Sequence, residues 1–154
     1  MTQDTQPDDF DALFPDEATV TVAGEQFVLA AFKSGKARPY LDINRRQRAK
    51  AQALMDELAD EYDAAVEAAK AAGKPEPEPI DVDKIPLDLL HERCMDEYIE
   101  IVALATGKPV SWVEAELDID DVVQIAAVIH HLNNHRYVKK GSALTIVPGR
   151  RQGK

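Results

Sequence analysis

Apolar residues recur at steps of three and four along the middle of the chain, and this spacing constrains the fold more than any other feature. It is the spacing of side chains on one face of an α-helix. The apolar positions are Leu54, Met55, Leu58, Tyr62, Ala65, Val66 and Ala69. They predict a long helix from about residue 43 to about residue 72, and a helix of this length favours a mostly α protein.

Four basic residues occupy the first turns of this helix, where the helix dipole disfavours cations. They are Arg45, Arg46, Arg48 and Lys50. Two interpretations are open. Neighbouring acidic residues can offset the four charges, or the charges can form a basic patch for an acidic partner.

A Pro/Glu linker follows over residues 73–84, since the prolines of "GKPEPEP" alternate with acids and favour an extended chain. A second helix is predicted over residues 86–106. Proline is tolerated in its first turn, and Gly107 is expected to end it.

Two capping patterns predict the last helices. Ser111 followed by Glu114 fits a capping box and predicts a short helix over residues 112–117. Asp118 is the expected cap of a final helix that runs to about residue 135. That helix is apolar on nearly every side, so we expect it to be the most buried element.

The segment "TVTVAGEQFVLAAF" alternates between apolar and polar residues, as a β-hairpin does. A turn at residues 24–25 would place Val22 opposite Phe27. Val20 would then lie opposite Leu29, with all four side chains on one face. Because a lone hairpin is marginal in water, it must pack on the helices or join another sheet.

These patterns predict a mostly α protein with a small N-terminal β-hairpin followed by about four helices. Residues 1–18 carry six acids and no base and are expected to be a disordered acidic N-terminus. Residues 19–137 are expected to form a single hairpin-plus-helical domain. Residues 138–154 carry five bases and no acid and are expected to be a basic flexible tail.

The composition argues against several classes of protein. The formal net charge of −10 opposes binding to nucleic acid, which depends on lysine and arginine. Cys94 is the only cysteine, so no intrachain disulfide can form and a reducing compartment is expected. Neither a secretory signal nor a membrane-spanning run is visible, because the longest apolar stretch, residues 122–129, is too short. We therefore expect a cytoplasmic protein that contacts no membrane.

The stretch around the only tryptophan has the outline of a helix-turn-helix. Its second helix, within "SWVEAELD", carries acids and no base, which would repel phosphates at a DNA surface. We therefore interpret Trp112 as a packing residue at the elbow, which anchors the short helix on its neighbours.

A metal site is a further alternative. His131 and His135 are four residues apart on one helix, and His91 and Cys94 are three apart on another. Together they could hold a metal ion in an enzyme, or they could be core and helix-end residues. No nucleophile elbow and no phosphate-loop spacing is present. We expect no enzyme, no catalytic residue, no cofactor and no metal.

The hairpin "VTVAGEQFVLAAF", the charged helices and the segment "IVALATGKPVSWVEAELDIDDVVQIAAVI" resemble the tail assembly chaperones of long-tailed bacteriophages and related prophages. The resemblance covers roughly residues 19–135 and depends on a pattern rather than on catalytic residues. Members of that family have a small β element ahead of a helical body.

This resemblance implies a non-enzymatic chaperone in the host cytoplasm. It would bind the tape-measure protein, and with it the tail-tube protein as a second partner, and keep the tape-measure protein soluble during tail-tube assembly. A homo-oligomer is compatible with this role. The candidate contact residues are Leu54, Met55, Leu58, Tyr62, Trp112 and Val113. The alternative is a structural virion accessory protein, such as a tail-tube or connector component.

Overall fold

The computed structural model describes residues 16–81 and 85–145, with side chains to residue 134. The elements are β1 (Glu17–Val22), β2 (Glu25–Ala30), α1 (Ser34–Ala71), α2 (Leu87–Arg93), α3 (Met95–Thr106), α4 (Val110–Glu116) and α5 (Ile119–Thr145). The described residues are mostly helical and the hairpin precedes the helices, so the predicted mostly α fold with an N-terminal hairpin is confirmed. The predictions for residues 1–15 and 146–154 lie outside the described residues.

The hairpin has the predicted face but a different register. Its turn is Ala23-Gly24, and both residues have positive φ angles, 49° and 75°, as a type I′ turn requires. Val20 therefore pairs with Phe27, and Ala18 pairs with Leu29. The predicted pairing of Val22 with Phe27 is wrong by two residues. A shift of two keeps each side chain on its face, and it places the buried Leu29 opposite a small alanine.

Helix α1 begins at Ser34, well before the predicted start near residue 43. Pro39 lies inside the helix. Proline removes one helical hydrogen bond, and near the helix start that loss is tolerated. Tyr40 follows it directly and is buried, so packing favours the helical path here.

The region predicted as one second helix forms two helices, because the helix is interrupted at Cys94, between α2 and α3. The Cys94 backbone has φ −102° and ψ 9°, and its N–H still bonds to the Leu90 carbonyl. Cysteine does not end helices by itself, so nothing in the sequence signals this break. The predicted end of α3 is confirmed, since Gly107 follows Thr106 with a φ of 72°.

One of the two predicted caps is present. The N-cap of α4 is Pro109, and no side chain caps it, so the predicted capping box at Ser111 is wrong and Ser111 lies within the helix. Asp118 does cap α5, because its Oδ1 accepts a 2.9 Å hydrogen bond from the Asp121 N–H.

Helix α5 continues to Thr145 instead of ending near residue 135. The predicted tail is therefore helical over residues 138–145. The helix also buries one face rather than every side. Val122, Ile125 and Ile129 are buried, whereas Ile119 is among the most exposed apolar residues of the described chain.

The described chain forms two compact units. The hairpin unit comprises the described residues up to Tyr40 and those from Tyr98 onward. Its hairpin contacts α5, and the buried Asn133 of α5 accepts a 3.0 Å hydrogen bond from the Phe32 N–H. Tyr40 packs on Phe32 and shares a 2.8 Å hydrogen bond with His130.

The long-helix unit comprises Leu41–Glu97. In this unit α2 is tied to α1 by a bidentate pair between Arg93 and Glu57, with distances of 3.0 and 2.6 Å. The paired Arg93 guanidinium lowers the pKa of the Glu57 carboxyl. None of the helices within residues 16–81 and 85–145 combines the length and apolarity that a membrane crossing needs.

Candidate partner-binding surface

A buried carboxylate accounts for two of the four cations at the start of the long helix. Glu97 is 2% exposed, and its Oε2 accepts a 2.9 Å hydrogen bond from Lys50 Nζ. Arg46 lies 3.7 Å from Oε1. Because Lys50 donates this hydrogen bond to the Glu97 carboxylate, the pKa of Lys50 is raised. For these two cations the interpretation that nearby acids offset the charges is confirmed.

Cys94 lies beside this carboxylate and is fully buried. Its thiol donates a 3.8 Å hydrogen bond to the Gln47 carbonyl. Burial, and then the nearby Glu97, raise the pKa of the thiol above its usual value. A protonated, buried thiol is a poor nucleophile and a poor metal ligand.

The four residues considered for a metal site lie as follows. His91 is half-buried in α2, Cys94 is at the α2–α3 junction, and His131 is exposed on α5. The side chain of His135 is outside the described residues. Across the described side chains, no group of three or more His, Cys, Asp or Glu is arranged to hold a metal ion.

Two of the six predicted contact residues are buried and cannot contact a partner. Leu54 is 2% exposed and Val113 is 0% exposed, so both are core residues. Met55, Leu58 and Tyr62 are half-buried on α1 and keep part of their side chains at the surface.

Trp112 is held at the edge of the hairpin unit. Its ring meets Phe27 of β2 edge-on at 5.8 Å, and Lys108 Nζ lies 5.1 Å from the ring centre. Lys108 also makes a 2.9 Å ion pair with Glu25. Trp112 therefore packs α4 against the hairpin, as the packing interpretation predicts. Its side chain is half-buried.

Five half-buried apolar positions in the second half of α1 form a line that we call the α1 stripe: Met55, Leu58, Tyr62, Val66 and Ala69. At 100° per residue these five positions fall on one helix face. The linker that follows α1 reaches this face, because the Tyr62 hydroxyl donates a 3.3 Å hydrogen bond to the Pro77 carbonyl. The linker covers the stripe only in part, since all five side chains remain partly exposed.

Acidic residues flank the α1 stripe on both sides. Helical geometry places Glu61 on one flank and Asp56 and Asp63 on the other. Residues 51–69 contain six acids and no base. Among the described side chains, none makes an ion pair with Asp60, Glu61 or Asp63.

The sequence predictions included the apolar part of this surface but missed its charge. The signal was present, because the run of six acids without a base is visible in residues 51–69. Helix periodicity identifies the apolar positions of a helix. It does not take the charge of the flanking positions into account.

Comparison of the chain with protein-family models, with curated proteins and with solved structures finds no match. The functional conclusion therefore depends on the residues and contacts described above.

Proposed function

We propose that this chain is a non-enzymatic tail assembly chaperone of a long-tailed phage or prophage. It binds the tape-measure protein in the host cytoplasm and keeps it soluble until tail-tube subunits enclose it. The observation that carries the proposal is the α1 stripe, a partly exposed apolar helix face between acidic flanks.

The stripe has the properties that such a chaperone needs. A long helical client exposes apolar faces, and such faces aggregate unless a complementary surface covers them. An amphipathic helix can lie along a groove or face of this kind through apolar side chains spaced three and four apart. The net charge of −10 favours solubility of the chain and of its complex.

The arrangement of elements is a second line of support. A small hairpin, Glu17–Ala30, precedes a helical body, as the family resemblance implies. The resemblance also covers the α3–α4 turn and α5, where Trp112 packs against the hairpin. A fold of this kind hosts many functions, so the stripe carries more weight than the fold.

The test begins with the DNA that flanks the gene, where we expect a long helical reading frame. The chain is then co-expressed with that long helical protein, and the soluble fraction of the client is measured with and without it. We expect the chain to raise the soluble fraction. An unchanged soluble fraction, or flanking genes of metabolism and regulation, would contradict the proposal.

The runner-up, a structural virion accessory protein, is separated by a second measurement. Purified particles are analysed by mass spectrometry for peptides of this chain. A chaperone is absent from finished particles, whereas a tail-tube or connector component is present in stoichiometric amounts.

A further inference from the structure

We infer that the α1 stripe binds a cationic amphipathic helix. This inference names the chemistry of the client segment and depends on the proposed function only for the client's identity. It follows from the partial exposure of the stripe side chains, the negative charge of the flanking residues and the pairing of the nearby Arg46 and Lys50 with Glu97.

The apolar part of the surface fits one helix. The stripe spans residues 55–69, which corresponds to about 21 Å or about four turns of helix. Met55, Leu58 and Tyr62 are followed at the same spacing by Val66 and Ala69. A partner helix with apolar residues at steps of three and four would cover the partly exposed side chains.

The flanks specify the charge of the partner. Residues 51–81 contain nine acids and two bases, a net charge of −7. Asp56, Glu61 and Asp63 are exposed and make no ion pair within the described chain. Lysine or arginine beside the partner's apolar face would pair with them, whereas nucleic acid or an anionic membrane would be repelled.

A second copy of the chain is a poorer occupant. Among the described side chains, the basic segment that could face the acidic flanks is residues 33–50, at the start of α1. Two of its cations, Arg46 and Lys50, are held on the buried Glu97. Moving them to a neighbouring molecule would leave a buried carboxylate without its partners, which is costly.

The test uses the full chain and a fluorescein-labelled peptide of about 18 residues, long enough for five turns of helix. The peptide contains leucine at helical spacing and lysine elsewhere, and its binding is measured by fluorescence anisotropy. One control peptide has the same composition in scrambled order, and another replaces every lysine with glutamate. We expect binding of the first peptide and at least tenfold weaker binding of both controls.

Two matched variants test the flanks. Asp56→Asn/Glu61→Gln/Asp63→Asn removes three charges beside the stripe. Glu114→Gln/Glu116→Gln/Asp120→Asn removes three exposed charges from the hairpin unit. We expect the first variant to weaken binding by about tenfold, since each exposed pair contributes up to about 1 kcal/mol. The second should change binding by less than about twofold.

Two further variants test the stripe, with circular dichroism as a check on folding. Leu58→Ser/Tyr62→Ser should weaken peptide binding by about tenfold or more, because two apolar contacts are lost. Tyr62→Phe keeps the ring and should preserve binding. If the serine variant does not fold, the charge variants still decide the outcome.

Three results would overturn the inference. Equal weakening by both charge variants would mean non-specific attraction to an acidic protein. Equal binding of the scrambled peptide would mean that no helix face is recognised. A change of oligomeric state in the stripe variants, measured by sedimentation, would assign the surface to a second copy. The client's identity is tested separately. If co-expression does not raise the soluble fraction of the tape-measure protein but the peptide binds tightly, the proposed client is wrong and the assignment of this surface stands.

Discussion

Replacing Lys50, which pairs with the buried Glu97, should destabilise the protein more than removing the carboxylate charge of Glu97 itself. Glu97 is 2% exposed, whereas the side chains of Lys50 and Arg46 are 40% and 49% exposed. The cations can therefore be solvated without their partner, and the carboxylate cannot. The two substitutions compared are Lys50→Met, which keeps the apolar stem, and Glu97→Gln, which keeps the shape.

The expected magnitudes follow from this asymmetry. Stranding a buried charge costs about 3–5 kcal/mol, and Arg46 at 3.7 Å still compensates part of it, so we expect about 2 kcal/mol for Lys50→Met. Glu97→Gln still accepts a hydrogen bond from Lys50, so we expect about 1 kcal/mol. The double variant should cost about as much as Glu97→Gln alone, since no buried charge remains.

The assay is urea unfolding at neutral pH, followed by circular dichroism at the helix band. Lys70→Met is the control, because Lys70 makes only an exposed pair with Glu67 and should change stability by less than about 0.5 kcal/mol. A larger loss for Glu97→Gln than for Lys50→Met would refute the asymmetry.

The same pair predicts a pH dependence. Glu97 raises the pKa of Lys50 in the folded chain, so the stability contributed by the pair is fully present below the unfolded pKa of about 10.4. It is lost as the pH rises through the higher folded value. The stability difference between wild type and Lys50→Met should therefore be constant below about pH 10 and shrink as the pH rises above about 10.4. An unchanged difference would contradict the assignment.

Three further substitutions test the fold. Asp118→Ala removes the cap of α5 and should cost about 1 kcal/mol in urea unfolding, and Asp118→Asn should restore most of it. Asn133→Leu leaves the buried Phe32 N–H without its acceptor and should cost about 1–3 kcal/mol, which a preserved melting temperature would contradict. Ala23→Gly should stabilise the turn by up to about 1 kcal/mol, because Ala23 has a positive φ, while Gly24→Ala should destabilise it by a similar amount.

Local patterns predicted the elements better than their details. Helical spacing and strand alternation predicted the long helix and the hairpin, because each depends on neighbouring residues. The hairpin register was missed because a two-residue shift leaves the alternation unchanged. The break at Cys94 and the helical path through Pro39 depend on packing rather than on local preference.

The buried carboxylate could not be predicted for a different reason. Glu97 lies among charged residues at the start of α3, and such positions are usually exposed. Its burial depends on Lys50, which is 47 residues away in the sequence. No periodic pattern connects the two, so only the tertiary structure shows that Arg46 and Lys50 of α1 are paired with a buried carboxylate.

The acids beside the α1 stripe should lower the stability of the helix that carries them. Asp63 and Glu67 are four residues apart, and such like-charge pairs each destabilise a helix by about 0.2–0.5 kcal/mol. Asp63→Lys would convert this repulsion, and that with Asp60, into attraction. We expect it to stabilise the chain by about 1 kcal/mol.

The same substitution should weaken binding of the cationic peptide, because it places a positive charge beside the stripe. Glu114→Lys is the control, since it changes the net charge equally on α4 and should leave peptide binding unchanged. Stability that rises while binding falls is the signature of residues kept for a partner. Lower stability of Asp63→Lys would mean that the acid serves the fold, and unchanged binding would remove it from the partner surface.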